Sequence, residues 1–141
     1  MRVLFANPPI LSGSKRFNRP IRFPTFSYAT QVMHPPLLLA YAAAFVRPLG
    51  HDVLLIDAPV LSMSPEEFFR SVEKYTPDFI VFETSTASFN NDAHVVAEAK
   101  KRVDSKAIFV GSHVSSIPRE SLRRSNADAV VMGEYEYTLS E

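Results

Sequence analysis

Five short apolar runs, at 3–6, 53–56, 79–82, 107–110 and 129–132, are each separated from the next by a longer stretch. Continuous apolar runs of that length read as strands buried on both faces, because a strand with one wet face alternates apolar and polar residues. Several intervening stretches carry the helical period instead. Leu37, Leu38, Tyr41, Phe45 and Leu49 recur at helical spacing, with Pro35 and Pro36 suited to a first turn and Gly50 to a stop, which predicts a helix over 36–49. Ser64-Pro65-Glu66-Glu67 combines a capping serine, a proline at the first helical position and a glutamate three residues on, predicting a helix to about residue 75. Ala93, Val96, Ala97, Lys100 and Val103 mark a third helix, and 118–124 a short fourth. Strands alternating with helices of this size imply right-handed crossovers and a five-stranded parallel sheet covered on both faces, a doubly wound α/β/α domain.

A chain of 141 residues fits one core, so the expectation is a single domain over 1–141. With 46% hydrophobic and 21% charged residues, it has the balance of a folded globular domain and not of a disordered tail. Fifteen Lys and Arg offset fifteen Asp and Glu, which removes any net field favouring nucleic acid or an anionic membrane. The longest apolar stretch, 37–46, is about half a bilayer span, and the first residues read as a strand and not a signal peptide. The expected location is the cytoplasm. Without cysteine the chain holds no disulfide, no thiolate zinc site and no cysteine-ligated cluster.

In such sheets ligands bind beyond the carboxyl ends of the strands, where the strand order reverses. The loops to inspect begin at Asn7, Asp57, Thr84, Gly111 and Gly133. The first, 7–34, is long, proline-rich and without a clear period; loops of that length are binding loops, lids or disordered segments. A dinucleotide site wants G-x-G-x-x-G after the first strand, but Asn7-Pro8-Pro9-Ile10-Leu11-Ser12-Gly13 puts prolines where amide donors are needed. A phospho-acceptor receiver wants acidic residues there and an aspartate after the third strand; the chain has Asn7 and Glu83-Thr84. What remains is a crevice rimmed by prolines, hydroxyls and glycines. Thr84, Ser85, Thr86 and Ser88 offer small hydrogen-bonding groups, and Gly111 and Gly133 permit a large ligand to approach the backbone. Each is equally at home as an ordinary turn or cap residue.

His51 and His94 read as structural, whereas His34 and His113 sit in loops at the ligand end and are available for polar contacts. Asp57, Glu83, Glu134 and Glu136 lie near the crevice, where carboxylates are usually solvated or capping groups. No residue stands out as a catalytic acid, base or nucleophile, and none as a metal ligand.

Six segments in order carry a family resemblance: Val3-Leu4-Phe5-Ala6-Asn7-Pro8-Pro9; Pro35-Pro36-Leu37-Leu38-Leu39-Ala40-Tyr41-Ala42-Ala43; Gly50-His51-Asp52-Val53 with Ile56-Asp57; Pro77-Asp78-Phe79-Ile80-Val81; Val110-Gly111-Ser112-His113; and Gly133-Glu134-Tyr135-Glu136-Tyr137-Thr138. From about Arg2 to Glu136 the chain resembles the amino-terminal cobalamin-binding domain of radical S-adenosylmethionine enzymes, among them the anaerobic magnesium-protoporphyrin monomethyl ester oxidative cyclases and several methylases. The resemblance implies a flavodoxin-like, Rossmann-like sheet of order 2-1-3-4-5. It also implies a cobalamin (vitamin B12) site at Asn7, Pro8, Pro9, Ile10, Leu11, Thr84, Ser85, Thr86, Ser88, Gly111, Ser112, His113, Gly133 and Glu134. Two positions depart from the family pattern and narrow the crevice: Tyr135 replaces the second glycine of a G-E-G-E-x-T turn, and Ser112 stands in a common Gly-Gly pair.

Relatives that ligate cobalt through D-x-H-x-x-G have their histidine at the position of Pro9, and their aspartate at Asn7. Proline is no ligand, so the resemblance implies base-off cobalamin with no histidine beneath the metal and an apolar Ile10 or Leu11 facing the lower side of the corrin. It further implies that the chain continues into a radical S-adenosylmethionine domain, which would hold the 4Fe-4S cluster and S-adenosylmethionine and act as the partner in catalysis. The fragment alone is then a cofactor carrier and not a catalyst. Two other readings remain open. One is an interaction or docking module that has lost cobalamin, which the Asn7 and Tyr135 departures favour; the other is a small-ligand half of a transferase, which would need a phosphate loop that the chain does not show.

Overall fold

The computed structural model describes residues 1–12, 17–18, 25–26 and 33–141, the two short internal pieces by their backbone alone. The first apolar run becomes β1 (Arg2–Asn7), and the long loop after it carries a two-residue antiparallel ladder between β2 (Phe17–Asn18) and β3 (Thr25–Phe26). The long proline-rich loop expected over 7–34 thus carries one short ladder, whose paired segments of two residues are too short to imprint a period on sequence. Pro20, Pro24 and the rest of 13–16, 19–24 and 27–32 lie outside the described residues.

The next elements are α1 (Leu37–Val46) with a closing 3₁₀ turn at Arg47–Leu49, β4 (Asp52–Asp57), α2 (Pro65–Tyr75) and β5 (Phe79–Glu83). After them come α3 (Phe89–Arg102), β6 (Lys106–Val110), α4 (Ser112–Ser116), α5 (Pro118–Arg123), β7 (Ala129–Val130) and a final 3₁₀ turn at Thr138–Ser140. The helix expected over 36–49 tightens into 3₁₀ geometry at its end because Pro48 has no N–H to give an α-helical bond. Gly50 then stops it in the left-handed region, φ 87°. The turn expected at Gly111-Ser112-His113 is itself helical, as α4, and the strand expected over 129–132 pairs over two residues only, although the Val131 N–H still donates to the Phe109 carbonyl (2.9 Å).

The sheet is wholly parallel, in the order β4-β1-β5-β6-β7, so the 2-1-3-4-5 topology stands. Alternation along the strands splits the core in two. Leu4, Ala6, Ile80, Phe82 and Phe109 pack under α2 and α3 on one face, with Phe68, Val72, Val95 and Ala99 above them. Val3, Phe5, Val81 and Val110 pack under α1 on the other, against Leu39, Ala42, Ala43 and Val46. Burying a Leu, Val or Phe side chain stabilises by about 1.5–3 kcal/mol, and Leu4, Phe5, Phe82 and Phe109 are wholly enclosed. The small Ala42 and Ala43 set α1 close to the sheet. Because the chain leaves β1 toward one face and β5 toward the other, the order reverses between these neighbours, and the crevice opens at their carboxyl ends.

Candidate functional site at the carboxyl ends of the strands

Register sets Asn7 beside Asp57 on one side, while Glu83 at the end of β5 pairs with Val110 of β6. The parity of Asn7 and Glu83 turns both toward the α1 face, as a polar rim above Phe5 and Val81. Tyr135 belongs to the same cluster of side chains and closes the rim from the turn after β7. These groups are deeply enclosed: Asn7 is 1% exposed and Tyr135 3%. Neither Asn7 Oδ1 nor the Tyr135 hydroxyl has a hydrogen-bond partner among the described residues. Burial, with the Glu83 and Glu136 carboxylates nearby, pushes the Tyr135 hydroxyl far above the ordinary tyrosine range, so it stays protonated and able to donate.

The opposite lip is tightly wired. The Thr84 hydroxyl donates to Asp92 Oδ2 (2.8 Å), the Thr84 N–H donates to the Val110 carbonyl (2.9 Å), and the Ser85 and Ser88 hydroxyls lie 3.0 Å apart. Those hydroxyls are thus engaged within the protein, and Thr84, Ser85 and Ser88 are buried, whereas Thr86 is exposed. Gly111 adopts φ 108°, and a Cβ there would lie 2.5 Å from the Thr84 carbonyl oxygen. The close approach this glycine permits is therefore to the neighbouring strand end. Gly133, at φ 70°, has open space where a Cβ would point. Its N–H donates to Ser115 Oγ (2.9 Å), and that hydroxyl donates to the Gly111 carbonyl (2.8 Å).

His113 in α4 lies with its ring 4.4 Å from that of Phe89 and its Nδ1 3.2 Å from the Thr86 hydroxyl. Burial, and then the Arg124 charge, lower its pKa below the ordinary value, so the ring is neutral at pH 7. Its Nε2 is enclosed with no hydrogen-bond partner among the described residues. Ser112 and Glu134 are exposed on the rim, and His34 is exposed ahead of α1. Pro8, Pro9 and Ile10 are buried, so Ile10 turns inward while Leu11, next to it, stays exposed. The residues singled out in the sequence thus gather at one end of the sheet, with Thr84, Ser85 and Ser88 more occupied by their own neighbours than their sequence indicates.

Sequence reading missed three contributors. Asn91 and Asp92 in the first turn of α3 and Ser115 in α4 bind the loops to one another. The available signal was Asn and Asp in a first helical turn, where short polar side chains bond to nearby backbone.

An apolar cavity of about 250 Å³ lies elsewhere, between the α1 face of the sheet and the last 3₁₀ turn, lined by Val3, Phe5, Phe79, Val81, Ile108 and Leu139 among others. With Met1, Val3 and Phe79 in its wall it sits toward the amino ends of the strands. His51 Nδ1, buried without a hydrogen-bond partner among the described residues, belongs to a residue lining this cavity, whereas Asn7 Oδ1, the Tyr135 hydroxyl and His113 Nε2 lie at the other end. Among the described residues no group of His, Asp and Glu is arranged to hold a metal, and no helix is long and apolar enough to cross a membrane.

Fold and rim together define a doubly wound domain with a polar crevice at its switch point. Residues 29–141 match the family model of the B12 binding domain, and the chain belongs to that family. It is 34% identical over 144 residues to an uncharacterised methyltransferase, PH0819, of Pyrococcus horikoshii, covering 100% of this chain and 28% of that protein. Two structures of the radical S-adenosylmethionine methyltransferase TsrM from Kitasatospora setae share the fold at 13% identity. One, with tryptophan and a S-adenosylmethionine analogue bound, has a TM-score of 0.76 over 99% of this chain and 24% of that one. The other, with cobalamin and a 4Fe-4S cluster bound, has a TM-score of 0.75 over 99% and 23%. The chain therefore spans about a quarter of the length of these proteins.

Proposed function

We propose that this domain binds a corrinoid at the carboxyl ends of β1, β5, β6 and β7 and presents it to the catalytic domain of a longer radical S-adenosylmethionine enzyme. The observation that carries the reading is the pair of buried, partnerless polar atoms, Asn7 Oδ1 and the Tyr135 hydroxyl, at the switch point of a B12-binding-family domain. A buried polar group without a partner costs about 1–3 kcal/mol, which a ligand rich in amide groups would recover. Asn7, Pro8, Pro9, Ile10 and Leu11 would form one side of the seat, and Thr84, Ser85, Thr86, Ser88, Gly111, Ser112, His113, Gly133 and Glu134 the other. Asn7 and Tyr135 fit polar groups of the ligand, Leu11 an apolar one. Pro9 would offer a bound corrinoid no imidazole, and base-off binding is part of this reading. When bound, the corrinoid supplies methyl-carrying or electron-transfer chemistry; the chain's own part is to bind, orient and shield it.

Methyl transfer is the reaction we favour for the whole protein, since PH0819 and TsrM are both named as methyltransferases. The alternative of a tetrapyrrole oxidative cyclase rests on the sequence resemblance alone. The 4Fe-4S cluster and S-adenosylmethionine belong, in this reading, to the partner domain, and the setting is cytoplasmic. The competing docking-module reading is favoured by the enclosure of the crevice floor. Incubation with hydroxocobalamin, removal of free ligand and a visible spectrum decide between them. Retained corrin absorbance of base-off form is expected; no retention by the intact protein at high micromolar ligand would sink the corrinoid reading.

A further inference from the structure

The two lips of the crevice leave the sheet toward opposite faces, and one side chain spans them. Asn91 Nδ2 donates to the Pro9 carbonyl (3.0 Å), and Asn91 Oδ1 accepts from the Leu11 N–H (2.8 Å). The carboxamide pairs with the 9–11 backbone as an adjacent strand would. The same Nδ2 donates to Asp92 Oδ1 (3.1 Å), while Asp92 Oδ2 takes the Thr84 hydroxyl (2.8 Å). Asp92 is fully enclosed, so this linkage is anchored in the interior and not on a mobile surface. Pro8 and Pro9 carry no N–H, and the Pro9 carbonyl and the Leu11 amide are two of the backbone groups by which the loop is held.

We propose that Asn91 is the positioning residue of the corrinoid seat. The inference rests on the corrinoid reading above. Asn91 acts through the 8–11 loop, which it fixes against α3 at a set distance from the 84–88 lip. The loop's conformational freedom is given up on folding and not on binding, which raises affinity without a contact to the ligand. Two proline rings shorten the list of conformers further, and the carboxamide selects among those left.

The test is a visible titration of the intact protein with hydroxocobalamin, run beside amide hydrogen exchange at Leu11 without ligand. Asn91→Ala is expected to weaken binding about tenfold, the loss typical of a partly buried hydrogen bond, and to speed Leu11 exchange by a similar factor. Asn91→Ser, which keeps a hydroxyl but lacks the reach of the carboxamide, gives a smaller loss in the same direction and substitutes for the alanine variant if that fails to fold. Val72→Ala is the control, a buried cavity mutation under α2 that lowers the thermal midpoint and is expected to leave corrinoid affinity unchanged. Equal weakening in Val72→Ala would reduce the Asn91 effect to ordinary destabilisation and overturn the proposal. So would unchanged or tighter binding by Asn91→Ala, the latter marking the carboxamide as an obstruction. Wild-type protein that takes up no corrinoid overturns the binding reading and this proposal together, whereas wild-type uptake undiminished in Asn91→Ala overturns the proposal alone.

Discussion

Gly111 shows how much one absent methyl group can decide. Its φ of 108° and ψ of −177° belong to a region populated almost solely by glycine, and the Thr84 carbonyl occupies the space a Cβ would need. Gly111→Ala is expected to destabilise by about 2–4 kcal/mol, from backbone strain plus displacement of the Thr84 peptide, measured as a shift in urea midpoint. Asp128 offers a pH signature. Burial raises its pKa, but bonds from Lys100, the Ala107 amide and Lys106 outweigh that and hold the carboxyl at about 2, below the ordinary 3.8. A carboxylate depressed on folding adds stability that is complete above the unfolded pKa and is lost as pH falls through the folded one. Discounted for partial exposure, the contribution is about 1–2 kcal/mol. Asp128→Asn should therefore cost that much near pH 7, and the gap between variant and parent should narrow from about pH 5 toward pH 2. A gap that widens on acidification would refute the assignment.

Helix by helix, legibility followed the strength of local rules. The start of α2 was written in Ser64-Pro65-Glu66-Glu67: the Glu67 N–H donates to Ser64 Oγ (3.3 Å) and the Ser64 N–H to Glu67 Oε2 (2.7 Å). Ser64→Ala should cost about 1 kcal/mol by thermal melting, since the cap is lost without any effect on the core. For α1 the spacing of Leu37, Leu38, Tyr41, Phe45 and Leu49 located the helix but not its inner face. Those side chains point outward, and Leu39, Ala42, Ala43 and Val46 meet the sheet. A helix apolar around its whole circumference carries two stripes of the same period, and only the sheet's demand for close approach chooses the smaller one. The carboxyl-end loops were found because parallel strand order dictates where they gather. Asn91, Asp92 and Ser115 escaped notice because their partners lie far along the chain, at Pro9, Leu11, Thr84 and Gly133, and sequence spacing holds no record of such meetings.

At the scale of the molecule, the outward stripe of α1 combines with a sequence whose formal charge is zero and whose isoelectric point is near 6.9. Little electrostatic repulsion then opposes contact between apolar surfaces at neutral pH. Light scattering is expected to show self-association that peaks near pH 7, and Tyr41→Lys, at a site 65% exposed, should reduce it while changing stability by less than about 0.5 kcal/mol. Scattering indifferent to both pH and this substitution would count against the stripe as its source. The Ser115 hydroxyl receives from Gly133 and gives to Gly111, which bears on how the domain would accommodate a guest. It rivets the last two strand ends into a single jaw, set opposite the short proline-stiffened finger that one asparagine grips, so that a guest would meet two edges already in place.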